Sequence, residues 1–345
     1  MSLSEEIHEQ PAVLARLLDR QAEPVRRLAA SLRAREVDFV FVAARGTSDN
    51  AGLYAKYLWG ASNGLPVALA APSLFTAYAR PPALRRALVV AISQSGQSPD
   101  IVAVLDEARR QGAPTLAIVN DAASPLARAA DAVVDVCAGP EQAVAATKSY
   151  TAQLMAIAML SAAFAGDEAR WSELARVPGL VERVLSLDDA IGERAERYRF
   201  MAHCVVLGRG FNYATAFEWA LKLKELAYVI AEPYSSADFQ HGPVAMVERG
   251  FPVLAVAPGG AVFDDTRALL ARLVEEKQVE LLVVSDRDEA LSLAHTPLRL
   301  PAGETEWLSP LVAIVPAQLF CYHLTRTKGY DTEAPRGLRK VTLTR

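Results

Sequence analysis

Two stretches of this chain read alike at a fixed distance, and that duplication limits the fold more than any other feature. "FVFVAARGTSDNAGLYAKY" begins at Phe39 and "CVVLGRGFNYATAFEWALKL" at Cys204, so that Arg45-Gly46 meets Arg209-Gly210, 164 positions on. In both, a β-rich apolar run ends at a glycine and passes into residues with helical periodicity. The same offset lays "VVAISQSGQSPD" on "VLAVAPGGAVFD", with Gly96 on Gly260 and Asp100 on Asp264, and a further strand follows in each copy, "TLAIVND" and "LLVVSDR". Continuously apolar strands alternating with helices are the pattern of a parallel sheet covered on both faces. A length of 345 residues holds two such α/β domains. The expected organisation is a helical segment over 1–34, a first domain over 35–165, a helical connector rich in arginine and glutamate over 166–197, a second domain over 198–325 and a tail over 326–345.

The first copy carries a polar cluster that the second lacks. Leu88 to Ile92 is apolar throughout, and Ser93-Gln94-Ser95-Gly96-Gln97-Ser98 then leads into "IVAVLDEARRQG", a helical pattern closed by Gly112. The N–H groups of a helix's first turn have no partners within the helix and carry partial positive charge, so they favour an anion. Serine hydroxyls add donors, and Gly96 lets the backbone come close. Ser93 or Ser98 alone would suffice as a helix cap. Ser93, Gln94, Ser95 and Ser98 together exceed that need and point to phosphate. The second copy reads "APGGA" here, so only the first half is expected to bind. Ligands of such sheets sit beyond the carboxyl ends of the strands, which places Arg45 to Ser48 and Ser93 to Ser98 along one crevice. A third loop, "AVAATKSYTAQ", offers Thr147 and Lys148 before another helix, either as ligand contacts or as a cap and a surface lysine.

The second half has its own unusual element. Glu218, Lys222 and Glu225 are spaced by four and three and share one helical face. Such spacing normally marks a solvated face with ion pairs. Phe217, Trp219, Ala220, Leu221, Leu223 and Leu226 around them leave little room for a surface helix. A glutamate in apolar surroundings shifts toward neutrality, which suits a proton shuttle. Pro233 is expected to end this helix and His241-Gly242-Pro243 to form a rigid turn. Lys340 rides on a tail broken by proline and glycine, either closing over a site or simply exposed.

Other classes are disfavoured. A net charge of −4 gives no electrostatic case for nucleic acid. The apolar run "LMAIAMLSAAFAG" is too short to span a bilayer. The opening "MSLSEEIHEQPAVLARLL" lacks the basic start and apolar core of a signal peptide, which predicts a cytoplasmic protein. Cys137, Cys204 and Cys321 are expected to be inert core thiols. The five histidines show no metal-ligand spacing.

Taken together, "ARGTSDNAG", "SQSGQSPD", "AVAATKSYTAQL", "ALKLKELAYVIAEPYSSADFQHGP" and "PRGLRKVTLT" resemble the tandem sugar isomerase (SIS) domains. The likeness is to the isomerase half of glucosamine-6-phosphate synthase and most of all to stand-alone glucosamine-6-phosphate deaminases of the SIS type. It covers nearly the whole chain, with five motifs in order, and implies two flavodoxin-like three-layer domains. By this resemblance Thr47, Ser48, Ser93, Gln94, Ser95 and Ser98 hold the sugar phosphate and its hydroxyls, and the main chain near Val144 adds a sugar contact. Glu225 matches the base that moves a proton between C1 and C2, with Lys222 beside it. His241 matches the ring-opening acid/base, and Lys340 the tail lysine that engages the carbonyl.

There are three departures, Ser98 where threonine is common, Ala146 where the synthase has serine, and Gln240 where it has lysine before the histidine, of which Ala146 and Gln240 leave the sugar and its amine open. The synthase also carries a glutaminase domain with an N-terminal cysteine nucleophile. The opening "MSLSEE" does not match it, so release of ammonia from D-glucosamine 6-phosphate is the expected direction. A fructosamine 6-phosphate deglycase, a galactosamine-specific enzyme, an ammonia-dependent isomerase and a non-catalytic sugar-phosphate sensor remain alternatives. No metal or organic cofactor is expected. The resemblance further implies a homodimer in which His241 serves the partner's site.

Overall fold

The computed structural model describes residues 1–303 and 305–340, which pack as two units. Helix α1 (Leu3–His8) belongs to the C-terminal unit, and the N-terminal unit begins with α2 (Gln10–Arg33). Then follow β1 (Phe39–Ala43), α3 (Thr47–Asn63), β2 (Val67–Leu69), α4 (Ser73–Thr76), β3 (Ala87–Ser93), α5 (Pro99–Arg110), β4 (Thr115–Val119), α6 (Pro125–Ala129), β5 (Ala132–Asp135), α7 (Lys148–Ala165) and α8 (Glu168–Leu174). The C-terminal unit holds α9 (Val177–Leu185), α10 (Asp188–Ala195), β6 (His203–Gly208), α11 (Tyr213–Leu226), β7 (Ile230–Ser235), β8 (Pro252–Val256) and α12 (Phe263–Lys277). It ends with β9 (Glu280–Ser285), α13 (Asp288–Leu291), β10 (Thr296–Arg299) and α14 (Ser309–Thr327). Residues 142–147 group with the C-terminal unit, and Arg339 and Lys340 with the N-terminal one.

Among the described residues each unit has one five-stranded parallel sheet. The orders are β2-β1-β3-β4-β5 and β7-β6-β8-β9-β10, the same doubly wound topology twice. The sequence repeat is therefore a repeat of topology. Central strands are buried along their length, as the continuous apolar runs require. Val89, Ala91, Val104 and Leu105 pack one layer of the first core, and Val253, Ala255, Leu269 and Leu270 one layer of the second.

Two helices are predominantly apolar because they are largely buried. Helix α7 buries Leu154, Met155, Ile157 and Met159. The segment Glu306–Thr327, containing α14, is long and apolar enough to cross a membrane, yet 89% of its apolar window is buried inside the protein. A core position accounts for that composition.

The local expectations need three corrections. Helix α11 ends at Leu226, well before Pro233, which lies inside β7 opposite Val206. Strand β7 is a sheet edge, where the missing N–H of proline costs no ladder bond. Lys148 is not a surface lysine: it is fully buried, with Nζ 2.6 Å from Glu9 Oε2. Cys137 is only half-buried, while Cys204 and Cys321 are core residues.

Candidate active site

In the N-terminal unit β1 lies between β2 and β3, so the chain winds in opposite directions from β1 and β3. The loops after these two strands flank the switch point, where a doubly wound sheet opens a crevice. Gly46 precedes α3 with φ 55°, a left-handed conformation that suits glycine, and Thr47 and Ser48 form the first turn. Ser48 is buried, and its Oγ accepts from Gln153 Nε2 at 3.0 Å. After β3, Ser98 stands at the N-cap of α5 without making a side-chain cap bond. The hydroxyl expected of a routine cap is thus not used as one.

Ser93 and Ser95 have a task within the loop that sequence reasoning missed. Ser93 Oγ accepts the Gly96 N–H at 3.0 Å, and Ser95 Oγ accepts the Gln97 N–H at 3.3 Å. Accepting leaves the hydroxyl proton available to donate. The same serines can therefore shape the loop and present donors from it. Gln94, beside them, is half-buried and fixed through its carbonyl, which accepts the Asn120 N–H at 3.3 Å. Gly96 is required by packing as well as by its φ of 62°, since a Cβ there would come 2.2 Å from Ser124 Oγ.

The two loops are tied to each other by charge. Arg45 Nε and Nη2 lie 2.9 and 2.8 Å from Oδ2 of the buried Asp100. Burial pushes the Asp49 carboxyl, in the first turn of α3, upward against the opposing effect of Arg45. The repeat carries the pair into the C-terminal unit, where Arg209 meets Asp265 at 3.1 Å, one residue beyond the aligned Asp264.

Lys340 is not an ordinary exposed lysine. Its Nζ lies 2.9 Å from Oε2 of Glu141, a carboxylate with no exposed side-chain surface. Glu141 also accepts from Ser149 N at 3.0 Å and Ser149 Oγ at 2.7 Å, and so serves the first turn of α7. The only hint of Glu141 in the sequence is an acid after Gly139-Pro140, ahead of "AVAATKSY".

The candidate base sits in the C-terminal unit. On α11 Glu218 and Lys222 are buried, and Lys222 Nζ lies 3.4 Å from Glu218 Oε1 and 2.5 Å from Glu225 Oε2. Burial alone would depress the Lys222 ammonium, but Glu218 and Glu225 beside it outweigh that and hold it above the ordinary lysine range. Glu225 keeps 24% of its side chain exposed, so the expected apolar enclosure describes Glu218 and not Glu225. In the same unit Val144 is half-buried, and its segment is held by the buried Glu6 carboxylate, which accepts from the Gln142 and Ala143 N–H groups. His241 is exposed and ends a 3₁₀ turn before Gly242, whose φ is 129°.

The profile of the SIS domain matches residues 35–163 and 201–328. The chain belongs to the SIS-domain family. A glutamine–fructose-6-phosphate aminotransferase [isomerizing] of Thermus thermophilus is 37% identical over 348 residues, covering 97% of this chain and 57% of that protein. The chain thus spans little more than half the length of this curated relative. Among solved structures, the C-terminal domain of glucosamine-fructose-6-phosphate aminotransferase from Francisella tularensis superposes with a TM-score of 0.86 at 30% identity, covering 96% of this chain and 98% of that one. A glucosamine-6-phosphate deaminase from Thermotoga maritima shares the fold with a TM-score of 0.82 at 21% identity, covering 99% and 100%.

Within the first SIS domain the structure brings together Thr47 and Ser48 with Ser93, Gln94, Ser95 and Ser98 at adjacent strand ends. Within the second it joins Lys222 to Glu225 and adds Glu218. Among the described residues the exposed His241 ring makes no hydrogen bond or ion pair.

Proposed function

We propose that this protein is an amino-sugar phosphate isomerase whose reaction releases ammonia from D-glucosamine 6-phosphate, leaving fructose 6-phosphate. The observation that carries the reading is the charge cluster on α11: a partly exposed Glu225 carboxylate fixed by a buried Lys222 whose charged form its two glutamates favour. A base held in one geometry is what proton transfer between adjacent carbons demands. The two helix N-termini and the serine hydroxyls of the first domain supply donors suited to the phosphate.

In this scheme His241 moves the C1 hydroxyl proton to the ring oxygen, opening the pyranose to the 2-amino aldehyde. Glu225 takes the proton from C2; the C–H electron pair forms the C1–C2 double bond while the C1=O π pair moves onto O1, which takes up a proton, giving the enolamine. Glu225 then returns its proton to C1 as the nitrogen lone pair forms the C2=N bond and the nitrogen gives up one proton, balancing the one taken by O1 and leaving a C1 hydroxymethyl group and an imine at C2. Water adds to the imine carbon, the C–N bond breaks, and ammonia leaves with the proton it needs to become neutral. Lys340 polarises the carbonyl oxygen from the tail. The working unit in this scheme is a homodimer in which His241 serves the partner's site.

The test is ammonia release and C2 proton exchange from purified protein offered glucosamine 6-phosphate, galactosamine 6-phosphate and amino-acid conjugates of fructosamine 6-phosphate. Turnover of the first above the others supports the proposal. Absence of both signals with every compound refutes it.

A further inference from the structure

The tail that carries Lys340 is fastened at its root by groups that no step above uses. Arg336 places its guanidinium carbon 4.3 Å from the ring centre of Tyr228 and 4.9 Å from that of Tyr330. The two rings are 4.8 Å apart and tilted by 56°. The Arg336 N–H also donates to Tyr228 Oη at 2.8 Å. Backbone, guanidinium and both rings therefore meet at one point.

Tyr228 pays for this contact in backbone conformation. Its φ is 53°, in the left-handed region that a bulky residue rarely enters. Such a conformation persists only where the surroundings impose it. Tyr228 follows the C-cap Ala227 of α11 and stands three residues beyond Glu225. Between Tyr330 and Arg336, the Glu333 carboxylate accepts the Leu3 N–H at 3.1 and 3.2 Å. Downstream, Lys340 follows Arg336 by four positions. Lys340 then meets the buried Glu141.

We propose that Tyr228, Tyr330 and Arg336 form a clasp that roots the C-terminal strap at the end of the helix bearing Glu225, making Tyr228 a positioning residue for Lys340. The proposal rests on the isomerase reading for the role of Lys340. A stack of cation on aromatic, closed by one hydrogen bond, is strong enough to hold a strap and weak enough to be opened by single changes.

Tyr228→Gly is the informative variant, because glycine accepts the positive φ and the loss of the ring is not confounded by backbone strain. Tyr228→Phe removes only the hydroxyl, and Arg336→Lys keeps the charge but not the planar stack. Two measurements are made on the full chain. Limited trypsin digestion without substrate reports cleavage after residues 336, 339 and 340, since cutting follows the population of the opened strap. In Tyr228→Gly this cleavage should accelerate about tenfold, with smaller effects in Tyr228→Phe and Arg336→Lys. In the same order kcat should fall, by about tenfold in Tyr228→Gly, while KM for the sugar phosphate stays within about twofold, because the phosphate contacts are untouched.

Unchanged cleavage in Tyr228→Gly would remove the clasp. Faster cleavage with wild-type kcat, or a raised KM with kcat unchanged, would leave a clasp without a positioning role and overturn the proposal. If the wild type turns over no amino-sugar phosphate, the isomerase reading fails, and the cleavage rates still decide whether the clasp exists.

Discussion

Replacing Lys222 by methionine isolates the charge cluster on α11, because the two side chains are similar in size and the packing cost of the swap stays below about 1.5 kcal/mol. The electrostatic cost is larger. Lys222 Nζ lies 3.4 Å from a Glu218 carboxylate that has no solvent exposure and 2.5 Å from Glu225. Removing one member of a buried ion pair leaves a charge that water cannot reach, at a cost of about 3–5 kcal/mol. For a domain of this size that lowers the midpoint of thermal unfolding by about 6–20 °C. Deleting both buried charges, in Glu218→Leu/Lys222→Met, should recover most of the loss, since an apolar pair of similar volume is close to neutral. The pH dependence has a definite sign. Burial lowers the pKa of Lys222, its two glutamates together raise it by more, and the folded value ends above the unfolded one. The pair's contribution is then complete below the unfolded lysine value of about 10.4 and is lost as pH rises through the folded value. Wild type and Lys222→Met should differ through the neutral range and converge in strong alkali. A loss under about 1 kcal/mol at pH 7, or a double variant as weak as the single one, would refute this account of the cluster.

The phosphate reading predicts that Ser93→Ala/Ser95→Ala raises KM by about tenfold or more with a smaller effect on kcat, since each bond to a charged group contributes about 1.5–3 kcal/mol; steady-state kinetics showing wild-type KM would end it. Glu225→Gln should keep sugar-phosphate binding but lose at least about a hundredfold in solvent deuterium incorporation at C2, and exchange at the wild-type rate would make the glutamate structural. Refolding a mixture of Glu225→Gln and His241→Asn subunits should restore activity if the histidine acts across a dimer, because each hybrid then has one complete site. A mixture as inactive as its parents would place the histidine in its own subunit or outside the chemistry.

How much of this was legible in the sequence depended on whether the signal was periodic or tertiary. The repeat from Phe39 and Cys204 carries the architecture, because a fixed offset with buried-strand periodicity leaves few topologies besides two matching parallel sheets. The polar loop between β3 and α5 was visible for the same reason: an apolar run stops, and polar residues begin, where a strand becomes a helix. Pro233 misled because the rule linking proline to helix ends is local, whereas its place in β7 follows from that strand being a sheet edge. The true end of α11 is the left-handed Tyr228, a conformation with no signature in an aromatic residue. Glu6, Glu9 and Glu141 were illegible because their partners, Gln142, Lys148 and Lys340, lie more than a hundred positions away. A sequence shows which acids exist but not which donors the fold brings to them.

The two domains also show how one scaffold can keep a cradle in one copy and fill it in the other. Gly96 and Gly260 occupy matching places after β3 and β8, and in each a side chain covers the face where a Cβ would stand. In the first domain that side chain is the neutral Ser124, with its hydroxyl oxygen 2.2 Å from the would-be Cβ. In the second it is the Glu306 carboxyl, with its carbon at the same 2.2 Å. The neighbouring Gly259 N–H, aligned with Ser95, donates to Asp286 Oδ1 at 2.7 Å. Carboxylates satisfy a loop and a helix N-terminus by the same electrostatics that favour phosphate there. The second copy therefore carries its own anions where the first presents hydroxyls. This explains in physical terms why "APGGA" could lose the side-chain donors of "SQSGQ" without losing the fold. Where a resident carboxylate occupies the loop, serine donors have no anion left to recognise.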